Sequence, residues 1–172
     1  MKSIYNAQGL VFPDCTHSHI TYAFHMPEPV QAVCVRFAYD PKLLTDEQQA
    51  KEMIQDSMWK YGYAGEETGG DEWRRYAPLK NLLTLSVDDS VRHRGTAHRH
   101  DPQQEHLLGR TEASPGFLAG ENPAGIWRLT VSLHAVVTER VSYRLEVAVE
   151  TMQEGGTQDE MDSSRAAHSH LS

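Results

Sequence analysis

Residues 127–149 read WRLTVSLHAVVTERVSYRLEVAV. Trp127, Leu129, Val131 and Leu133 alternate with Arg128, Thr130, Ser132 and His134. Tyr143, Leu145, Val147 and Val149 alternate in the same way with Arg144, Glu146 and Ala148. A period of two, carried by β-branched and aromatic residues, marks a strand with one face in a core and the other in water. Thr138-Glu139-Arg140 between the runs reads as a turn. The two runs are therefore expected to pair as an antiparallel hairpin, with both apolar faces in one core.

Working upstream, Leu83, Leu85 and Val87 line one face of a further strand, and Asp88-Asp89-Ser90 turns the chain. A ragged segment with short strand potential runs through Leu107 and Leu108, and Ser114-Pro-Gly-Phe and Gly120–Gly125 carry turn chemistry. Nearer the start, Ile20, Tyr22 and Phe24 share a face, and MPEP (26–29) breaks the run. Val33, Val35, Phe37 and Tyr39 form the next apolar face, with Cys34, Arg36 and Ala38 opposite. Asp40-Pro41 ends this strand, because proline donates nothing to a ladder.

The period changes between Thr45 and Trp59. Ala50, Met53, Ile54 and Met58 fall at helical spacing behind a capping box at Thr45 and Gln48. One short amphipathic helix is expected at about 45–60, packed on the sheet, followed by a Gly- and acid-rich loop at 61–70. The expected fold is all-β: a two-layer antiparallel β-sandwich of jelly-roll type with one short helical insertion, spanning 1–151. Residues 152–172 hold few large apolar side chains, too few to bury a core, and read as a flexible polar tail.

Composition narrows the function. The net charge of −8 disfavours non-specific binding to nucleic acid or anionic membranes, which needs an excess of Lys and Arg. No run of 18 apolar residues suggests a membrane span, and the first residues lack the apolar stretch of a signal peptide, so a cytoplasmic location is expected. The two cysteines, Cys15 and Cys34, do not make a disulfide framework, and Cys34 within a strand reads as a buried thiol.

From Asp88 onward the residues resemble a known domain. NLLTLSVDD (81–89), Arg94-Gly95, His98-Arg99, ASPGF (113–117), Gly120 and the Gly125-x-Trp127 pair resemble the N-terminal β-sandwich of bacterial polymerase-and-histidinol-phosphatase (PHP) metallohydrolases. The early strand that closes on FAYDP (37–41) is similar too, and the likeness covers roughly residues 10–150. In that family a metal-dependent phosphoesterase domain follows the sandwich and opens on a Leu-His-x-His motif. The resemblance assigns His168 and His170, in AAHSHLS, to that motif as metal ligands. Ala166 and Ala167 stand where the family has an acidic residue and Leu. On this reading the chain ends within the first motif of an absent catalytic domain. It implies no cofactor for the chain alone, divalent metals if a catalytic domain is joined to it, and a PHP-type catalytic domain or a second copy of the chain as partner.

The residues themselves supply one candidate ligand cluster: Arg92, His93, Arg94, His98, Arg99, His100 and His106. Guanidinium forks bind carboxylate or phosphate, and imidazoles coordinate metals or donate to anions. A solvated loop with one or two arginines tied to backbone carbonyls is the plainer reading. The match of Arg94-Gly95 to the Arg-Gly pair of the PHP-associated sandwich implies such a role, the glycine as a bend and the arginine as a buried tie. Trp127, on a face with Leu129 and Val131, reads as a core anchor. Trp59, Tyr61 and Tyr63 form an aromatic set suited to packing, to stacking on a ring or to docking a partner. His17 and His19 read as a surface pair.

There is no G-x-S-x-G elbow, H-E-x-x-H pair, C-x-x-C pair or phosphate-binding Gly loop. The isolated chain is therefore expected to be a non-catalytic accessory domain that docks on a catalytic one. A small-molecule or carbohydrate-binding module is the alternative, and a fragment of a metal-dependent hydrolase the second.

Overall fold

The computed structural model describes residues 1–62, 71–98 and 100–152. Among them eight strands form: β1 (Lys2–Val11), β2 (Ser18–Met26), β3 (Val30–Asp40), β4 (Leu82–Asp88), β5 (His93–Ala97), β6 (Gln103–Gly109), β7 (Gly125–Ala135) and β8 (Val141–Thr151). They build two four-stranded antiparallel sheets, ordered β1-β8-β3-β6 and β2-β7-β4-β5. Every connection except β4–β5 passes from one sheet to the other. This is the strand order of an eight-stranded jelly roll.

The alternation predicted for the strands is what fills the space between the sheets. Val33, Val35 and Phe37 of β3 share one apolar cluster with Leu85 of β4, Trp127, Leu129 and Val131 of β7 and Leu145 of β8. Burying each such side chain contributes about 1.5–3 kcal/mol. Tyr5 stacks on Phe24 at 5.1 Å, and Phe24 lies 6.4 Å from Trp127, which extends the core toward the β1–β2 margin. The interior is packed with these side chains.

Three expectations need correction. β7 and β8 are not a hairpin: β7 pairs with β2 and β4, and β8 with β1 and β3. The reason lies in the five residues that join them. Val136 is buried, and the Asn81 side-chain oxygen accepts from the amides of Val137 (2.7 Å) and Thr138 (3.3 Å). The Asn81 amide donates to Pro41 O and Thr138 Oγ1, both at 2.8 Å. This clasp carries the chain across the core to the other sheet. Second, Lys2–Val11 forms an edge strand on β8 that alternation did not flag, because small and polar residues interrupt its apolar positions. Third, the helix cap is displaced by one residue.

The helix, α1 (Glu47–Lys60), is inserted between β3 and β4. Its N-cap is Asp46, whose side chain accepts from the Gln49 amide at 2.9 Å, in place of the expected Thr45 box. Ala50 and Ile54, four residues apart, are its buried positions. The helix packs beside a 3-10 turn at Asp71–Tyr76, where Glu47 pairs with Arg74. No helix among the described residues is long and apolar enough to cross a membrane.

Candidate functional site

Of the residues that carry the PHP resemblance, Asp89, Gly120 and Trp127 gather around the Arg94 guanidinium at one corner of the sandwich, whereas Asn81 lies at the other end of β4 with Pro41 and Thr138. Asp88 ends β4, and Asp89 closes the turn into β5. One Asp89 oxygen accepts from the amides of Val91 and Arg92, both at 2.7 Å, which is why an aspartate starts this turn. Its other oxygen takes Arg94 Nη1 at 3.1 Å. Both side chains of this ion pair are essentially out of solvent, at 0% and 2% exposure.

The remaining donors of Arg94 are committed as well. Nη1 reaches Glu121 O (3.0 Å) and Asn122 Oδ1 (2.9 Å), and Nε and Nη2 both reach Leu118 O (3.1 and 2.9 Å). The guanidinium lies 5.7 Å from the Trp127 ring centre. A buried charge is tolerated only with this degree of pairing. Arg94 thus ties the 118–122 segment to the β4–β5 turn.

The glycines of the series serve close approach. Gly95 has φ +133°, and a Cβ there would run into the Gly116 carbonyl, which accepts from the Thr96 amide at 3.0 Å. Gly120, at φ +146°, leaves room for Arg92, whose Nη2 donates to Ala119 O at 3.1 Å. Ser114 accepts from the Leu107 amide through Oγ (2.9 Å), and Trp127 Nε1 donates to Pro123 O (2.9 Å). Asp89, Arg94, Gly95, Ser114, Gly120 and Trp127 together form a backbone-locking knot.

The other candidates scatter around this corner. His93 sits on β5, exposed, with Nδ1 2.8 Å from Asp88 Oδ1. His98 and His100 are exposed, and Arg99 lies outside the described residues. His106 on β6 is fully buried, with Nε2 2.9 Å from Gln104 Oε1 and its ring 4.8 Å from that of Phe117. Arg94 and His106 therefore serve the interior, while His93, His98 and His100 face solvent, and the described members do not enclose a common cavity. His19 Nδ1 meets Ser132 Oγ at 2.9 Å on the outer face of the second sheet. His168, His170 and Tyr63 lie outside the described residues. Among the described residues no group of three His, Cys, Asp or Glu side chains is placed to hold a metal ion.

The two larger concavities among the described residues lie elsewhere. The first is an apolar groove of about 590 Å³ between α1 and the segment that follows it, lined by Met53, Ile54, Met58, Tyr61, Leu79 and Val137, with Tyr76 beside them. Tyr61 and Tyr76 of this lining are 67% and 57% exposed, and Trp59 on α1, 79% exposed, is not among the lining residues. The Met/Ile stripe of the helix thus faces a groove open to solvent. The second is a polar groove of about 710 Å³ on the outer face of the β1-β8-β3-β6 sheet, which includes Gln8, Arg36, Ala38, Gln103 and Arg144. Sequence reading missed it because its residues come from four strands whose order no local pattern reveals. Their only signal is that they are the polar alternates of their runs.

Burial displaces several ionisable groups. It pushes up the Cys34 thiol, aided by the Glu105 carboxylate, so this buried cysteine stays protonated. Lys42, which donates to Tyr39 Oη (2.7 Å) and Asn81 O (2.9 Å), is lowered by burial. Both cysteines are free thiols. Comparison with known proteins returns no match: no family model, no curated protein and no solved structure aligns with this chain.

Proposed function

We propose that the chain is a non-catalytic interaction module: a jelly-roll sandwich that docks on a partner protein through the apolar face at α1. One observation carries this reading. Tyr61 and Tyr76 stand mostly exposed in a groove lined by methionine and branched aliphatic side chains. Exposed apolar surface of this kind, gathered in one place, marks association sites, and aromatic and methionine side chains are enriched at the centres of interfaces. The resemblance read from the sequence makes the partner a PHP-type catalytic domain, which would bring its own divalent metals. The two free thiols suit a reducing compartment such as the cytoplasm.

The test is sedimentation of the isolated chain across a concentration series. With its partner absent, the exposed face should drive weak, concentration-dependent self-association. Tyr61→Ser with Tyr76→Ser should abolish that association and leave the unfolding midpoint within a few degrees. A chain that stays monomeric at millimolar concentration would sink the reading, as would association that survives both changes. Phosphoesterase turnover by the purified chain with added manganese would overturn the non-catalytic assignment.

A further inference from the structure

The polar groove on the β1-β8-β3-β6 sheet has the makings of a second site, on a different surface from the α1 face. The register places Gln8, Arg144, Ala38 and Gln103 in one row across all four strands. The adjacent row is Asn6, Glu146, Arg36 and Glu105. At the spacing of neighbouring strands, each row is about 14 Å long.

The two arginines have different fates. Arg36 is held between two carboxylates, with Nε on Glu105 at 2.7 Å and Nη1 on Glu146 at 3.3 Å. That row is a braced wall with its charges balanced. Arg144 is exposed, and its guanidinium makes no hydrogen bond or ion pair to any described residue. The Glu146 carboxylate, two residues along the same strand, is committed to Arg36. Beside Arg144 in its row stands Ala38, whose small side chain leaves a dip between Arg144 and Gln103. The amides of Gln8 and Gln103 flank the row, each able to donate and accept.

The geometry points to a binding site for a short saccharide that carries one carboxylate. The free guanidinium fork matches a carboxylate in bidentate fashion. The flanking amides match hydroxyl groups, which also donate and accept. Phe37, the one aromatic residue in the lining, is buried in the core at 1% exposure, so a neutral sugar would lack a stacking platform, and the acid group supplies the anchor. Longer polyanions are disfavoured by Glu105, Glu146 and the net charge of −8. The floor is made of hydrogen-bonded strands, which hold the row in place without a closing loop.

The experiment is an amide-resolved NMR titration of the whole chain with a trisaccharide ending in glucuronic acid. Saturable shifts are expected along Gln8, Ala38, Gln103 and Arg144. Reducing the carboxylate to the alcohol should weaken binding at least tenfold, and so should Arg144→Ala. Ala38→Trp fills the dip and should abolish binding. Both positions face outward, so amide dispersion will show that each variant is folded, and either variant alone suffices. Shifts that do not saturate, that map elsewhere or that survive both substitutions would overturn the assignment. Equal affinity for an acidic tripeptide of the same charge would refute the saccharide class. Tyr61 and Tyr76 lie outside this groove, so failure here leaves the docking test untouched, and the reverse holds.

Discussion

Arg94 shows how a residue type that suggests ligand chemistry can be used entirely for structure. Its guanidinium is fully buried, ion-paired with Asp89 and bonded to the carbonyls of Leu118 and Glu121. Truncating it strands a buried carboxylate and several carbonyls. Arg94→Ala should therefore cost about 3–5 kcal/mol, read as a drop in the urea midpoint. Arg94→Lys should recover little of that, because a single ammonium cannot reproduce the fork. A loss under about 1 kcal/mol would show that the knot contributes little net stability. The candidate role of Arg94 as a ligand arginine was readable from the surrounding Arg/His cluster, and its role as a tie was implied by the family resemblance. The choice depended on burial, which has no local signature. Gly95, by contrast, was legible as a bend, since its backbone occupies a region that side chains rarely adopt.

Among the elements, α1 is the one whose boundary chemistry can be tested directly. Two adjacent residues, Thr45 and Asp46, both suit an N-cap, and the structure selects Asp46. Asp46→Ala should destabilise the chain by about 1 kcal/mol, and Thr45→Ala should be nearly neutral. Thermal melts followed by circular dichroism will separate them, and equal effects would return the cap to Thr45. The stripe of Ala50, Met53, Ile54 and Met58 made the helix itself legible. Its apolar spacing could not say what it would face. Ala50 and Ile54 are buried, and Met53, Ile54 and Met58 line the open groove. The strands show the same division. Alternation placed Trp127, Leu129 and Leu145 in the core, while the partner of each strand depended on the Asn81 clasp and the Val136 plug.

At the scale of the molecule, stability should respond to alkaline pH through buried phenols. Burial, together with the Tyr22 hydroxyl at 2.6 Å, raises the Tyr143 pKa well above its ordinary value, and burial raises that of Tyr39. A folded-state pKa above the unfolded one means that the folded chain keeps its proton where the unfolded chain has lost it. The stability these phenols contribute is complete below about pH 10 and lost as pH rises beyond it. The denaturation midpoint should fall above pH 10, and Tyr143→Phe should flatten that fall. An unchanged slope in the variant would remove Tyr143 from the explanation.

The two-layer β architecture follows from short-range physics. Period-two alternation puts apolar side chains on one face of each run, and only a second layer can cover them. The helix, the strand breaks and the turn at Asp89 are local in the same sense, since each depends on residues a few positions apart. The strand order, the crossing of β7 to β8 between sheets and the burial of Arg94 and His106 are not. They depend on contacts between residues tens of positions apart, such as Asn81 with Thr138 and Arg94 with Asn122. The polar groove belongs to this second group. Gln8, Ala38, Gln103 and Arg144 become neighbours only when four distant strands take their register, because strand pairing sets that juxtaposition and local propensity does not.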